Sequence, residues 1–210
     1  MLKGWLIFIL ITAALWGGIA GLSESQQTVQ DPQSEQALNE ARQVSAELAE
    51  KVRGLLLQEI EKGGFVSAVR VCSELAQQIT LQFNARSSHT IRRVSLRYRN
   101  PQNIPDEYER QKLEAFDLLN RQKKLEKEYF EIVKTQQGEY LHYMRPLVAI
   151  PLCITCHGPK ENIPTEVQTI LAEKYPNDRA TGFLVGDIRG AISVKIALPP
   201  GKVREWSPKG

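Results

Sequence analysis

Residues 139–158 read EYLHYMRPLVAIPLCITCHG. The first half alternates, placing Tyr140, His142 and Met144 on one face of an extended chain. The second half carries Cys153 and Cys156, separated by Ile154 and Thr155, with His157 immediately behind. A strand thus runs straight into a Cys-x-x-Cys-His motif. What that motif can hold decides how the remaining residues are read.

Three chemistries use paired thiols at this spacing. A structural zinc site needs about four ligands, typically two pairs, and the sequence offers no second Cys-x-x-Cys or His-x-x-x-His. A thioredoxin-like dithiol starts a helix inside a βαβ unit, and Gly158-Pro159-Lys160 is expected to break such a helix at once. Covalent haem needs what is present. Cys153 and Cys156 can add across two vinyl groups on one edge of a porphyrin, and the imidazole of His157 then lies beneath the iron. One covalent haem c is the expected cofactor.

The N-terminus agrees. Lys3 precedes an uncharged apolar run from Trp5 to Leu22, Gly18-Ile19-Ala20 offers small residues for cleavage, and polar Ser23-Glu24-Ser25 follows. Residues 1–22 read as a cleaved export signal or an uncleaved anchor, at the lower edge of bilayer-spanning length. Both place the body of the protein outside the cytoplasm, in a periplasm or a thylakoid lumen, where haem c is attached. Residues 23–34 read as a polar tether and 35–205 as one domain. With 27 basic and 24 acidic residues the net charge is +3, too small an excess to argue for nucleic acid.

Outward from the motif, Glu35–Glu61 has helical spacing of Ala37, Ala41, Val44, Leu48, Val52 and Leu55, with Ser34 as expected N-cap and Gly63-Gly64 as terminator. Its apolar stripe could also serve as a homodimer face. In a second helix, Phe65, Val69, Cys72, Ala76 and Ile79 share a face, which aims Cys72 inward. Thr90–Tyr98 reads as a strand, Glu107–Leu125 as a charged third helix, and Tyr129–Thr135 and Glu139–Ile150 as paired strands. A short helix is expected at Thr165–Lys174, and a hairpin over Thr181–Pro199 turning at Gly186-Asp187 and again at Gly190. The pattern predicts an α+β fold, with an antiparallel sheet covered on one face.

With His157 on the proximal side, candidates for the sixth iron position are Met144, His142, His89, Cys72 or water. Methionine is the ordinary choice for electron transfer. Cys72 is the third of three cysteines, and once the other two form thioethers it has no internal disulfide partner. Haem carboxylates call for cations, and Arg92, Arg93, Arg97, Arg99 and Arg145 are the candidates. Asp187 and Arg189 are expected to organise the turn they occupy.

Four segments, AVRVCSELA (68–76), IRRVSLRYRNPQNIPDEYE (91–109), CITCHG (153–158) and EKYPNDRATGFLVGDIRGAISV (173–194), resemble in order the PAS-like c-type haem domain family (DUF3365). That family includes single exported domains and sensor modules of histidine kinases and chemoreceptors. The resemblance implies a PAS-like antiparallel sheet with a long N-terminal helix. It also implies Cys/His ligation, with Cys72 opposite His157. A kinase or methyl-accepting output domain is not expected within 210 residues. The expected function is a redox or small-gas sensor that opens its Cys72 side to CO or NO on reduction, in contact with an unknown redox or signalling protein. A plain electron carrier ligated by Met144 or His142 is the alternative. An enzyme is not expected, because a peroxidase-like site needs an acid–base residue over the iron and none is identifiable.

Overall fold

The computed structural model describes residues 31–86 and 88–199. The expected export segment 1–22 lies outside them. Among the described residues no helix is long and apolar enough to cross a membrane.

Helix α1 spans Pro32–Arg70. Its N-cap is Asp31, not Ser34: the Asp31 carboxylate accepts from the Gln33 and Ser34 amides, both at 3.0 Å, and Pro32 sits where no amide is needed. Ser34 is buried one turn in. Gly63 and Gly64 break the helix, Gly64 at φ 67°, and the chain resumes helical geometry from Phe65. A π-helical turn, Val71–Leu75, then leads into α2, Ala76–Arg86.

Strand β1 is Thr90–Val94. It stops short of the expected Tyr98 because the Ser95 amide turns to the Asn103 carbonyl at 3.1 Å. Helix α3, Glu107–Arg121, opens with a capping box in which Asp106 and Glu109 bond each other's backbone amides at 2.8 and 2.9 Å. It ends before Leu125 because Lys123 takes a left-handed conformation, φ 57°. Strands β2, Tyr129–Thr135, and β3, Gly138–Val148, form a hairpin. Helix α4, Pro151–His157, contains the motif itself, so Gly158 ends a short helix that the sequence did not suggest. Helix α5, Thr165–Lys174, and strand β4, Ile188–Ala197, complete the domain.

The sheet is antiparallel, in the order β1-β4-β3-β2. The expected C-terminal hairpin is absent: Thr181–Asp187 forms no strand, and β4 instead inserts between β1 and β3. Both faces are covered, not one. Ala37, Leu38, Ala41 and Leu48 of α1, with Ile79 of α2, pack on Ile91, Leu141, Tyr143, Ile192, Val194 and Ile196. Leu113 and Phe116 of α3 pack on Val94, Met144 and Ala191 across the other face. Period-two alternation sorts the strands between these cores, and each fully buried aliphatic or Phe side chain adds about 1.5–3 kcal/mol.

At Leu147/Val148 the β3–β4 register shifts, so that Arg189 is an extra residue between Gly190 and Ile188. Gly190 lies inside β4 and is no second turn. A side chain there would meet the Val94 carbonyl oxygen at 2.3 Å, so only glycine allows β1 this close.

His142 is fully buried on the α3 face, stacked on Tyr108 at 4.1 Å and bonded to Ser193 Oγ at 2.8 Å. Burial, and then Lys195, hold its pKa down from 6.5 to about 3. The unfolded chain therefore takes up this proton near pH 6.5 and the folded chain only near pH 3. The neutral ring costs nothing above the first value, and stability falls as pH drops between the two. In urea titrations from about pH 6 to pH 4, the wild type should lose about 1.4 kcal/mol per pH unit more than His142→Gln. Equal slopes would show that the ring is charged in the fold.

Candidate functional site

Helix α4 is held in place from outside. Pro151 occupies its first turn, the Cys153 amide donates to Ile150 O and the Gly158 amide to Ile154 O, both at 2.8 Å. A side chain at Gly158 would strike Ile154 at 2.6 Å. The segment after α5 then grips the end of the helix. Phe183 N donates to His157 O at 2.9 Å and Gly182 N to Gly158 O at 2.6 Å.

The His157 ring bonds through Nδ1 to the Ala180 carbonyl at 2.7 Å. A carbonyl only accepts, so Nδ1 carries the proton and Nε2 keeps its lone pair. Burial, followed by Arg189 and Arg99, holds the imidazole pKa well below 6.5. The ring is neutral at physiological pH, as a metal ligand must be.

Arg99 connects these pieces. Its guanidinium pairs with Asp178 at 2.9 Å and donates to Cys156 O at 2.6 Å and Ala180 O at 3.3 Å. Asp178 in turn accepts from the Ala180 amide at 2.7 Å. The residue bound by His157 and the residue preceding it are thus fixed by one buried ion pair.

In front of α4 lies a cavity of about 210 Å³. Cys153, Cys156 and His157 line it from one side, and Cys72, Leu56, Ile60 and Phe65 from another, with Tyr175, Arg93, Arg99 and Arg189 also in its wall. Cys72 sits in the π-helical turn, half-buried, and such turns are frequent at functional sites. Cys156, Arg93, Tyr175 and Arg189 share the cavity wall with it. Burial, with Cys72 next, raises the Cys156 thiol to about 11, so it is protonated at neutral pH.

The arginines divide by strand face. Arg93 shares the Ile91 face of β1 and lines the cavity. Arg92, one residue earlier, points to α3, where it pairs with Glu109 at 2.9 Å and donates to Ile104 O at 2.7 Å. Arg97 lies over the Phe183 ring at 3.8 Å and bonds Thr181 O. Neither Arg97 nor Arg145 lines the cavity. Arg189 does, in place of organising the turn, a task left to Asp187, whose carboxylate accepts from Leu184 N at 2.8 Å. Burial lowers the pKa of Arg189 to about 10.

The Arg93 Nε and Nη2 and the Arg189 Nε are buried with no hydrogen-bond partner. Unsatisfied guanidinium donors in a cavity wall are costly, and carboxylates are the groups that match their geometry. Met144 and His142 do not line the cavity. Met144 packs in the α3 core, because β3 alternation turns both residues away from α1. His89 bonds Glu40 at 2.6 Å and is likewise not in the wall. Among the described residues no three of His, Cys, Asp and Glu converge as a cage for a bare metal ion. The donor set suits a flat group that reaches all its partners at once: thiols, an imidazole and cations.

The sequence missed Arg189 and Tyr175. The bulge at Arg189 inverts the alternation that would have shown its direction, and Tyr175 lies in an irregular segment without periodicity.

The Tll0287-like family model matches residues 26–197. The crystal structure of the cyanobacterial haem protein Tll0287 superposes with a TM-score of 0.61 at 26% sequence identity, covering 81% of this chain and 98% of that one. No curated protein sequence matches.

Breaking the Arg99–Asp178 pair should be felt both in stability and at the motif. Arg99→Leu leaves the largely buried Asp178 carboxylate without its cation and should cost about 3–5 kcal/mol in urea unfolding, whereas Arg110→Leu, whose partners Glu107 and Glu114 are exposed, should cost less than about 1 kcal/mol. Equal losses would show that Arg99 does not anchor α4.

Proposed function

From the chain's membership of the Tll0287-like family, which the match over residues 26–197 establishes, we propose that it is an exported monohaem c-type cytochrome acting as a redox or small-gas sensor. The observation that carries this reading is the convergence of Cys153, Cys156, His157 and Cys72 on one cavity whose wall also holds unpartnered guanidinium N–H groups, Nε and Nη2 of Arg93 and Nε of Arg189. The similarity to a haem protein of known structure supports the choice of group.

The residues fit haem c part by part. Cys153 and Cys156 would carry the thioether bonds. His157 presents Nε2 with its proton fixed on Nδ1, which suits a proximal ligand. Cys72, in the π-helical turn of the same cavity wall, would be the second protein ligand to the iron. Arg93 and Arg189 would take the two propionates, which would satisfy their free N–H groups. When bound, haem supplies one-electron chemistry and an axial site for small ligands.

The chain's own part is to set which side is easy to open. His157 is gripped by Ala180, Phe183 and, through Ala180, Arg99. Cys72 has no comparable clamp. A proton held at its Sγ would weaken its hold on a bound metal, and Tyr175 and Arg93 line the same cavity. The methionine-ligated carrier loses support, since Met144 belongs to the core on the opposite face.

Two measurements test this. In protein matured with the c-haem machinery, Cys153→Ser/Cys156→Ser should lose haem on a denaturing gel, where the wild type retains it. Cys72→Ala should lose the thiolate features of the ferric spectrum and bind CO more readily on reduction. An unchanged low-spin ferric spectrum in Cys72→Ala would sink the assignment of the sixth ligand.

A further inference from the structure

Several large apolar side chains stand exposed beside α4: Leu118 at 50%, Val148 at 41%, Ile150 at 46%, Leu184 at 62% and Val185 at 59%. Singly, such residues need no explanation. These come from three chain segments drawn together by hydrogen bonds. Gly186 N donates to Ala149 O and Ala149 N to Asp187 O, both at 2.8 Å, which ties the end of β3 to the turn carrying Leu184 and Val185. Asn120 Nδ2 donates to Gly186 O at 2.8 Å, which brings in the end of α3. Ile150 is itself the N-cap of α4. The apolar face therefore runs directly onto the helix that bears Cys153 and Cys156.

One side of it is basic. Lys123 N donates to Asn120 O and Lys124 N to Leu119 O, folding the end of α3 so that Arg121, Lys123, Lys124 and Lys127 stand exposed next to the patch. The three lysines form no ion pair among the described residues. The acidic groups nearby are otherwise engaged or outnumbered: Asp187 accepts from the Leu184 amide, Asp117 is half-buried, Glu128 pairs with Arg42, and Glu126 is one exposed acid among four bases.

We propose that this face is the docking surface for an acidic protein partner, with the apolar centre pressed against it and the lysines meeting its carboxylates. An apolar centre excludes water from the contact, and a one-sided cationic rim steers approach and fixes orientation. A lipid surface is the weaker match. Membrane-lying segments bury a continuous helical stripe, and the stripe of α3 is spent on the sheet through Leu113 and Phe116. The inference rests on the haem reading for one point, that a partner docked here lies against the helix carrying the covalent group.

The test titrates the haem-loaded full chain with an acidic blue-copper protein, read by calorimetry and amide NMR at low and physiological salt. Shifts should cluster at residues 118–124, 148–150 and 184–186. Affinity should drop roughly tenfold between the two salt conditions, and by a similar factor in Lys123→Glu/Lys124→Glu. Leu184→Ser/Val185→Ser should weaken binding while leaving its salt dependence unchanged. No salt-sensitive binding, or shifts centred elsewhere, overturns the proposal. So does retention on phosphatidylglycerol vesicles that the same variants abolish while the copper protein stays unbound. Haem content is read separately from the Soret band, so a failure of docking and a failure of the haem reading give different results.

Discussion

The buried guanidinium of Arg99 is the point from which the geometry of the site is set. It neutralises Asp178, holds the Cys156 carbonyl at the end of α4 and reaches the same Ala180 carbonyl that fixes the His157 tautomer. Three acceptors in different directions suit a rigid five-donor fork and could not all be reached by a lysine ammonium. The pair is placed by backbone as well: the Arg179 amide bonds Tyr98 O at 3.1 Å, so the loop that carries Arg99 and the segment that carries Asp178 are already side by side. Buried ion pairs are weak sources of stability but strong determinants of arrangement. Here the arrangement is that of the His157 imidazole.

The sheet then separates two tasks. Its α3 face is closed by Leu113, Phe116, Met144 and stacked His142. Its other face carries a dense core under α1 and, toward Arg93 and Arg189, a cavity. What separates core from cavity is the break at Gly63-Gly64, after which the helix changes direction, and the bulge at Arg189, which turns a cation toward the space so opened. Gly190 completes this by letting the Val94 carbonyl come within a distance no other residue would allow.

Much of this was legible in the sequence. Strand β2 and helix α5 fall where residue pattern predicts: β2 is rich in aromatic and β-branched residues ahead of the Gln136-Gln137-Gly138 turn, and α5 lies between Pro164 and Pro176. The motif and the helical register of Cys72 pointed to residues that line one cavity. Strict alternation along β1 could also have separated Arg92 from Arg93. The rest depended on contacts between distant residues. Nothing local distinguishes Thr181–Asp187 from a strand until β4 is seen to pair with β1 and β3 instead. The direction of Arg189 follows from a bulge that exists only through its partner strand, and the buried role of Arg99 requires Asp178, far along the chain, to be present first.

The π-helical turn explains how Cys72, which a regular helical pattern aims inward, comes to sit in an irregular turn. Before the turn, Val69 packs with Ile163, Val167 and Leu171; after it, Ile79 joins the core beneath α1. One ordinary helical face could not serve two cores lying in different directions. The wider turn, closed by the Ala76 amide on the Val71 carbonyl, takes up the difference. Cys72 falls at the joint, so neither core fixes its sulfur and its direct surroundings are the cavity wall. A thiol in that position contributes little to the packing that holds the helix. Its replacement by alanine therefore changes the chemistry of the cavity while Val69 and Ile79 keep their own clusters, which makes the spectral response of that variant a reading of ligation rather than of lost structure.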